Sequence, residues 1–264
     1  MESSGGRSFL TEMLDKGLAS SGQPWDHGLL FQPHPNEQAL LYEFADSLAV
    51  RCFLKMAELP FTLVNRSNTE HMSPSGEVPL VKEGRYVVAG FDTIVDYAAQ
   101  KGKNLSAFLP DEELLELKAE MSLVKASMRY AEEYIAWYHE PTLREVTIPR
   151  YGSYHAWPLN RVLPYAKRRE VMSRMQEFGL SKASLPEVLR GVEDCCSVLS
   201  RRLGNKAFLF STESGTELDA YVFGHLYALI TTELPGLDLA ASVRRFPNLL
   251  AFSQRLEKLY FSKH

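Results

Sequence analysis

The chain has 264 residues, of which 45% are hydrophobic and 23% charged, a composition typical of globular proteins with room for two modest domains. Its formal net charge of −4 gives no case for nucleic-acid binding, and no apolar run approaches the ~18 residues of a membrane-spanning helix. Three acidic residues near the N-terminus (Glu2, Glu12 and Asp15) argue against a mitochondrial presequence, and the sequence predicts no secretory signal.

Residues 1–36 predict an N-terminal extension with a short amphipathic helix. Apolar residues recur at helical spacing between Phe9 and Leu14, with Ser8 as a candidate N-cap and Gly17 as a stop. Packing of this helix on its own domain is the favoured interpretation, and contact with a membrane or a partner is the alternative.

Residues 37–103 predict a small α/β domain. We expect a first strand at Ala39–Phe44, then a helix capped by Asp46 or Ser47 and ended before Pro60. Phe61–Val64 predicts the second strand.

The same domain continues through a loop, a hairpin and a helix. Val78–Val81 predicts a strand, and Lys82-Glu83-Gly84 has the composition of a hairpin connection. Tyr86–Val88 predicts the returning strand, and a helix with an apolar face containing Ile94 follows. The order is therefore βαβ followed by ββα.

Residues 104–264 predict an all-helical domain. Apolar residues recur every three or four positions from Leu114 to Tyr138 and again from Leu185 to Leu203, where Gly204 ends the pattern. Thr216 and Asp219 have the spacing of a capping box, which predicts the start of a buried helix containing Tyr221–Ile230. A last helix is expected at Leu249–Phe261.

The sequence Gly76-x-Val78-Pro79, followed by a hairpin and a helix, resembles the glutathione-transferase family. The implied fold is a thioredoxin-like N-terminal domain followed by a glutathione-transferase-type helical C-terminal domain. In that family the proline is cis, and the valine backbone binds the cysteine of glutathione. The family then has Glu-Ser at a helix N-terminus, where this chain has Gly90 and Phe91. The resemblance therefore implies a retained scaffold and a lost glutathione site.

Such transferases also place a tyrosine, serine or cysteine just after the first strand to activate the thiol. Tyr42 and Ser47 lie in that neighbourhood, and they leave a residual glutathione-dependent enzyme as the alternative hypothesis. Tyrosine commonly packs in strands and serine commonly caps helices, so a hydroxyl alone is weak support for catalysis. The favoured interpretation is a protein without enzymatic activity.

The segment from Arg150 to Asn160 is the one least like a transferase. Between Arg144 and Lys182 the chain has eight Lys or Arg and three Asp or Glu, which gives a local charge of +5. A solvated helix face is one interpretation, and docking on acidic protein or anionic lipid is the other. The candidate partner-binding residues are Arg150, Tyr151, Tyr154, Trp157, Lys167, Arg168 and Arg169.

The sequence predicts no metal site and no cofactor. The seven histidines form no pair at i, i+4 and have no cysteine at ligand spacing, and no nucleotide-binding motif occurs. His225 is expected to be a hydrogen-bonded core residue. We interpret Cys52, Cys195 and Cys196 as reduced core residues of a protein that faces the cytosol.

Several short stretches, in order over about residues 38–261, narrow the resemblance to the metaxin family. They are Ser47-Leu-Ala-Val, Met72-Ser-Pro-Ser-Gly76, Arg150-Tyr-Gly-Ser153, Trp157-Pro-Leu-Asn160, Cys195-Cys196, Leu218-Asp219, Phe223-Gly-His-Leu-Tyr227, Thr231-Thr232 and Asn248-Leu-Leu-Ala-Phe252. The chain stops at His264 without a C-terminal transmembrane segment, which is expected of a peripheral member.

This resemblance implies a peripheral subunit on the cytosolic face of the mitochondrial outer membrane, paired with a membrane-anchored metaxin. It further implies membership of the sorting and assembly machinery for β-barrel proteins, and an adaptor role between the Miro GTPase and kinesin in mitochondrial trafficking. The sequence does not separate these two docking roles.

Overall fold

The computed structural model describes residues 24–177 and 183–262. The N-terminal part of this range forms a four-stranded mixed sheet of β1 (Gly28–Gln32), β2 (Phe61–Asn65), β3 (Leu80–Glu83) and β4 (Tyr86–Ala89). The strand order is β2-β1-β3-β4, with β1 parallel to β2 and antiparallel to β3, and β4 antiparallel to β3. Three helices belong to this part: α1 (Leu41–Met56), α2 (Thr69–Met72) and α3 (Phe91–Gln100). This is the predicted thioredoxin-like arrangement.

The prediction of a first strand at Ala39–Phe44 is wrong, because this segment enters α1. The Leu40 backbone N–H donates to Glu43 Oε2 at 2.9 Å, which closes the first helical turn, so neither Asp46 nor Ser47 is the cap. The first strand is instead Gly28–Gln32, within the segment predicted to be an extension. Both segments are short apolar runs, which periodicity alone does not distinguish. We therefore propose that the first domain begins at or before Gly28.

The predicted hairpin is correct in place but shifted by two residues. β3 continues through Glu83, and the connection is Gly84-Arg85 rather than Lys82-Glu83-Gly84. Glu83 is held in the strand by buried contacts: Tyr97 Oη donates to Glu83 Oε2 at 2.5 Å and Lys101 Nζ lies 3.5 Å from the same oxygen. These partners are distant in sequence, so the local pattern did not indicate them.

The regular elements in the rest of the described chain are helices joined by loops, as predicted. A long helix comprises α4 (Asp111–Val124), a π-helical turn (Lys125–Arg129) and α5 (Tyr130–Tyr138). A shorter helical stretch comprises α6 (Glu140–Thr142), a second π-helical turn (Leu143–Thr147) and α7 (Ile148–Gly152). The later helices are α8 (Leu159–Glu177), α9 (Leu185–Leu203), α10 (Glu217–Thr231), α11 (Ala240–Arg244) and α12 (Pro247–Tyr260).

The predicted capping box at the start of α10 is confirmed. Thr216 donates to Asp219 Oδ2 from its backbone N–H at 2.8 Å and from its hydroxyl at 2.9 Å. The other oxygen, Asp219 Oδ1, accepts from the Leu209 backbone N–H at 2.7 Å. Asp219 is fully buried, and burial raises its pKa to about 6 despite these three donors. The box therefore fixes both the helix start and the preceding loop.

The two parts of the chain pack through α1 and α10. Gly224 of α10 lies against the α1 backbone, because a Cβ at this position would be 2.5 Å from both the Ala45 carbonyl oxygen and the Ala49 nitrogen. The absence of a side chain thus allows the two helices to approach closely. Most of the buried apolar residues of both parts form one continuous core across this contact, and Phe31, Leu80 and Ala89 form a small second cluster in the sheet.

The predicted helix between Phe9 and Leu14, with its cap Ser8 and its stop Gly17, lies outside the described residues.

Candidate functional site

The turn before β3 has the backbone of a glutathione-binding turn. The Val78–Pro79 peptide bond is cis, as the family resemblance implies, and Gly76 begins the turn with a φ of 75°. Val78 is buried. The scaffold element that contacts the ligand backbone in transferases is therefore present.

The adjacent helix N-terminus does not have the groups that hold a peptide carboxylate. Gly90 caps α3 with a φ of 80°, a conformation in which the family's glutamate would be strained. A Cβ at this position would also collide with the Glu77 carboxylate, which would have to move. The chain's own carboxylate thus lies beside the position where a transferase has its ligand-binding residue.

Phe91, the next residue, is a core residue. It is 6% exposed, and its ring centroid lies 4.8 Å from that of Tyr221 and 6.0 Å from that of Phe53. These contacts join α3 to α10 and α1. The side chain that replaces the family's serine therefore stabilises the contact between the two parts of the fold and has no polar group for a ligand.

Neither hydroxyl suggested for catalysis has the position that catalysis requires. Tyr42 and Ser47 lie within α1 and are buried, whereas the residues that directly follow β1 are Pro33 and His34. Tyr42 Oη accepts a hydrogen bond from Trp137 Nε1 at 3.3 Å, and burial holds the Tyr42 pKa well above its ordinary value. The prediction that these residues follow the first strand is wrong because that strand was placed too late in the chain.

A segment of the helical part, Arg150–Tyr154, covers the connection between β1 and α1. Arg150 Nη1 donates to the Ala39 carbonyl oxygen at 2.7 Å. Gln38 Nε2 lies 3.5 Å from Ser153 Oγ in the same contact. In transferases this connection presents the activating hydroxyl, so we call Arg150–Tyr154 the covering segment.

A second set of contacts anchors the covering segment to α2. Glu70 accepts a hydrogen bond from Tyr151 Oη at 3.0 Å and pairs with Lys167 Nζ at 2.7 Å. Tyr151 also packs edge-on against Trp137, with ring centroids 5.8 Å apart. Burial and the neighbouring Glu70 raise the Tyr151 pKa far above its ordinary value, so the phenol remains a hydrogen-bond donor. The covering segment is thus held both on the β1–α1 connection and on α2.

The seven candidate partner-binding residues differ in how far their own chain engages them. Four have hydrogen-bond or ion-pair partners in the chain: Arg150, Tyr151, Lys167 and Arg168. Arg168 Nε donates to the Trp137 carbonyl oxygen at 3.2 Å. Trp157 is 80% exposed, and Arg169 is exposed without a carboxylate partner among residues 24–177 and 183–262. Tyr154 is half-buried and packs on His155 at 4.1 Å between ring centroids. The predicted set does not form one free surface.

A buried charge network between the two parts of the fold was not predicted. His225 of α10 is fully buried, with Nδ1 2.9 Å from both oxygens of Glu132 and Nε2 3.5 Å from Asp46 Oδ1. Asp46 Oδ2 also accepts from Arg129 Nε at 2.9 Å. Burial lowers the pKa of His225, but Glu132 and Asp46 outweigh this effect and raise it to about 9. The histidine is therefore an imidazolium at neutral pH.

This network confirms His225 as a hydrogen-bonded core residue. Arg129 has a second role, since its guanidinium lies over the Tyr42 ring at 4.3 Å from the centroid. A sequence signal did exist: Glu132 follows Ala131 on the core side of the periodic pattern, where an unpaired carboxylate would be costly. The identity of its partner was not visible in the sequence.

Among the described residues no group of three or more His, Cys, Asp or Glu side chains has an arrangement suited to a metal ion. Cys52, Cys195 and Cys196 are free and buried, as predicted. Burial raises the pKa values of the Cys195 and Cys196 thiols to about 12, so neither is a ready nucleophile.

Comparison with known proteins identifies the family. Residues 47–168 match the Tom37 family model, described as an outer mitochondrial membrane transport complex protein, and residues 192–256 match a glutathione S-transferase C-terminal domain model. Metaxin-2 of Homo sapiens is 44% identical over 243 residues, which are 92% of this chain and 92% of that protein. This chain belongs to the metaxin family.

This metaxin is also similar to a second kind of metaxin and to a solved glutathione transferase structure. Metaxin-1 of Mus musculus is 30% identical over 226 residues, covering 83% of this chain and 70% of that protein. The crystal structure of a glutathione transferase from Phanerochaete chrysosporium covers 91% of this chain and 100% of that chain, with 14% identity and a TM-score of 0.56. This last likeness shows the predicted glutathione-transferase-like fold.

Membership of the metaxin family, with the match to outer-membrane transport complex proteins, supports a role in mitochondrial protein import at the outer membrane. Within the described ranges of this metaxin, no helix has both the length and the apolarity needed to cross a bilayer.

Proposed function

We propose that this metaxin is a non-enzymatic, peripheral docking subunit on the cytosolic face of the mitochondrial outer membrane. It pairs there with a membrane-anchored metaxin and supports the sorting and assembly of β-barrel proteins. The observation that carries this proposal is the packing of the covering segment on the β1–α1 connection and on α2, where Arg150 and Tyr151 hydrogen-bond to Ala39 and Glu70 of this chain.

The altered helix N-terminus supports the same proposal. Gly90 has a backbone conformation unsuited to the family's glutamate, and Phe91, in place of the family's serine, packs in the core. A cis proline alone does not bind glutathione, because the peptide's charged end then has no hydroxyl partner at the helix N-terminus. A retained scaffold with no ligand site is what a docking subunit requires.

The proposed partner is the membrane-anchored metaxin. An obligate pair of this kind buries roughly 2,000 Å² or more. Of the seven candidate partner-binding residues, Trp157 and Arg169 have the exposure that an interface residue needs in the free chain. Arg150, Tyr151 and Tyr154 contribute through the shape of the covering segment, while Lys167 and Arg168 hold α8 against its own chain.

Size-exclusion chromatography with light scattering tests the pairing, using the full chain alone and then with the soluble part of metaxin-1 from the same organism. We expect a one-to-one heterodimer that Trp157→Ala weakens. Leu259→Ala, at a 54% exposed position on α12, is the control and leaves the heterodimer intact. A stable homodimer that ignores metaxin-1 would contradict the proposal.

Glutathione titration tests the alternative of a residual transferase that uses Tyr42 or Ser47. A ligand that binds the native state at 100 times its Kd raises the free energy of unfolding by about 2.7 kcal/mol. We expect no change in Tm at millimolar glutathione. A concentration-dependent increase in Tm would revive the enzyme hypothesis.

Fractionation of mitochondria tests the location. We expect release of the protein by alkaline carbonate extraction and its digestion by protease added to intact mitochondria. A further role as an adaptor between Miro and kinesin rests on the family resemblance. It would require docking surfaces beyond the one that pairs with the anchored metaxin.

A further inference from the structure

The start of α8 exposes a cluster of large apolar side chains. Within nine consecutive positions, Trp157 is 80% exposed, Leu159 50%, Val162 57% and Tyr165 57%. We call these four residues the apolar patch. Leu159, Val162 and Tyr165 are three residues apart and therefore share one face of the helix. Clustered exposure of this kind is uncommon in monomeric proteins and marks interaction sites.

Two depressions lie beside the apolar patch on α8, and Tyr165 belongs to the patch and to both depressions. One depression of about 420 Å³ follows the helix from Tyr165 to Gln176, and a second of about 410 Å³ lies between α8 and the Glu140–Ile148 stretch. Tyr165 and Arg168 line both depressions, so the two adjoin at these side chains, and we call them together the groove. A concave surface of this length suits a polypeptide segment.

The charges around this groove are mainly positive. Arg161 and Arg169 are exposed, and neither has a carboxylate partner in the part of the chain that the structure describes. Arg144 is 73% exposed at the far end, where it shares Glu140 with Arg168. Guanidinium groups bind carboxylates in a bidentate geometry, so unpaired arginines beside apolar side chains favour an acidic ligand.

Not every basic residue of this segment is available to a ligand. Lys167 pairs with Glu70 and Glu170, and Arg174 pairs with Glu133. These side chains hold α8 against its own chain. Among the described residues from Leu159 to Glu177, the exposed positive charges without a carboxylate partner are therefore those of Arg161 and Arg169, which lie on either side of Tyr165 in sequence.

We propose that this groove binds an acidic polypeptide segment of a partner protein. An apolar side chain of that segment packs on Tyr165 and Val162, and its carboxylates pair with Arg161 and Arg169. Trp, Tyr and Arg are the residue types that dominate interface energetics. This proposal adds a binding site to the proposed docking function. It rests on that function in one respect, namely that the chain acts by binding other proteins.

The observations favour a polypeptide over the two other occupants. A membrane surface would meet a convex patch, whereas Tyr165 and Arg168 line depressions. A second copy of this chain would place an identical basic groove opposite the first across a two-fold interface. These occupants remain distinguishable by experiment.

Site-specific photocrosslinking tests the proposal in intact cells. Benzoylphenylalanine replaces Tyr165 in the full chain, and mass spectrometry identifies the crosslinked peptide. We expect a peptide with an apolar residue flanked by Asp or Glu. The adduct yield falls at least fivefold when Arg161→Glu and Arg169→Glu are added. The same probe at Leu259 on α12 gives no such adduct.

The matched control for charge is Arg66→Glu with Arg85→Glu, since both residues are exposed, lie in the sheet part and change the net charge equally. This control leaves the adduct yield within twofold of the wild-type value. Circular dichroism and Tm show that both double variants fold.

Four outcomes overturn the proposal: no adduct from position 165, an adduct with lipid, an adduct with a second copy, or a peptide without carboxylates. The result is separate from that of the pairing experiment. Failure to bind metaxin-1 contradicts the proposed function, while an acidic adduct from another protein still supports the groove.

Discussion

His225 and Glu132 form a fully buried pair, with the imidazole Nδ1 2.9 Å from both carboxylate oxygens. Because His225 lies on α10, Glu132 on α5 and the third member, Asp46, on α1, the network joins the two parts of the fold. Removing one partner of a buried pair leaves the other charge uncompensated. His225→Gln is therefore expected to lower the free energy of unfolding by about 3 to 5 kcal/mol.

Urea denaturation measures this loss. A double-mutant cycle compares the wild type, His225→Gln, Glu132→Gln and the variant with both substitutions. We expect the double variant to recover part of the stability, because no buried carboxylate then faces a neutral partner on α10. A double variant with additive losses would show that the pair does not act as a unit.

The same network predicts a decrease in stability at alkaline pH. The pKa of His225 is raised from an unfolded value of about 6.5 to about 9, so the native state binds more protons than the unfolded state between these values. The stabilisation is complete below pH ~6.5 and is lost as the pH rises through about 9.

Comparison of urea midpoints between the wild type and His225→Gln from pH 7.5 to 9.5 isolates this histidine, because the buried thiols, whose pKa values are also raised, contribute equally to both proteins. Burial raises the pKa values of Glu43 to about 7 and Asp219 to about 6, so their contributions fall at lower pH. Asp46, Arg129 and the Tyr221 ring are the other groups that face the imidazole. We expect the wild-type midpoint to fall across this range and that of His225→Gln to change less. Equal slopes would contradict the assignment of the proton to His225.

The close approach of α1 and α10 predicts a strong effect of Gly224→Ala. Its methyl group would lie 2.5 Å from backbone atoms of Ala45 and Ala49, which cannot turn away as a side chain can. We expect a loss of about 3 kcal/mol or more in the free energy of unfolding. Gly191→Ala is the control, since it lies within α9 with no atom near its added methyl group and gains up to about 1 kcal/mol from helix propensity. Equal effects at the two glycines would contradict the packing.

The helices were largely predictable because their apolar periodicity is long. The pattern from Leu185 to Leu203 defined α9, and the Thr216–Asp219 box defined the start of α10. The first strand was not predictable in this way, because Gly28–Gln32 and Ala39–Phe44 are both too short for periodicity to separate strand from helix. The wrong strand then led to the wrong catalytic candidates.

The site was only half predictable for a related physical reason. The loss at Gly90 and Phe91 follows from local sequence, since both lie at a helix N-terminus that the hairpin defines. The anchoring of the covering segment depends on the contacts of Glu70 with Tyr151 and Lys167, which are distant in sequence. Such tertiary pairing leaves no periodic signal.

The conformation of Gly90 predicts that any side chain there costs stability mainly through backbone strain. Gly90→Ala is expected to lower the free energy of unfolding by about 1 to 3 kcal/mol, as for other non-glycine residues at positive φ. The Glu77 carboxylate is exposed and at the end of a flexible side chain, so it moves aside at little cost. Gly102→Ala, at a φ of 83° in open space, is the matched control and should cost about the same. A much larger loss at Gly90, reversed by Glu77→Ala, would show that the carboxylate is fixed.

The contacts of Glu70 with Tyr151 and Lys167 predict that Glu70 contributes to holding the covering segment in place. Glu70→Ala removes the acceptor of Tyr151 and the partner of Lys167, whose side chain is only 15% exposed. Hydrogen bonds to charged groups contribute about 1.5 to 3 kcal/mol, so we expect a loss of that order in urea denaturation.

Hydrogen exchange gives a local measure of the same change. Amides of Arg150–Tyr154 should exchange faster in Glu70→Ala, because the segment then loses its anchor on α2 while Arg150 still binds the Ala39 carbonyl. Glu145→Ala is the control, as an exposed carboxylate near the same segment that should change stability by less than about 0.5 kcal/mol. Unchanged exchange in the covering segment would mean that Arg150 and the packing of Tyr151 on Trp137 suffice to hold it in place.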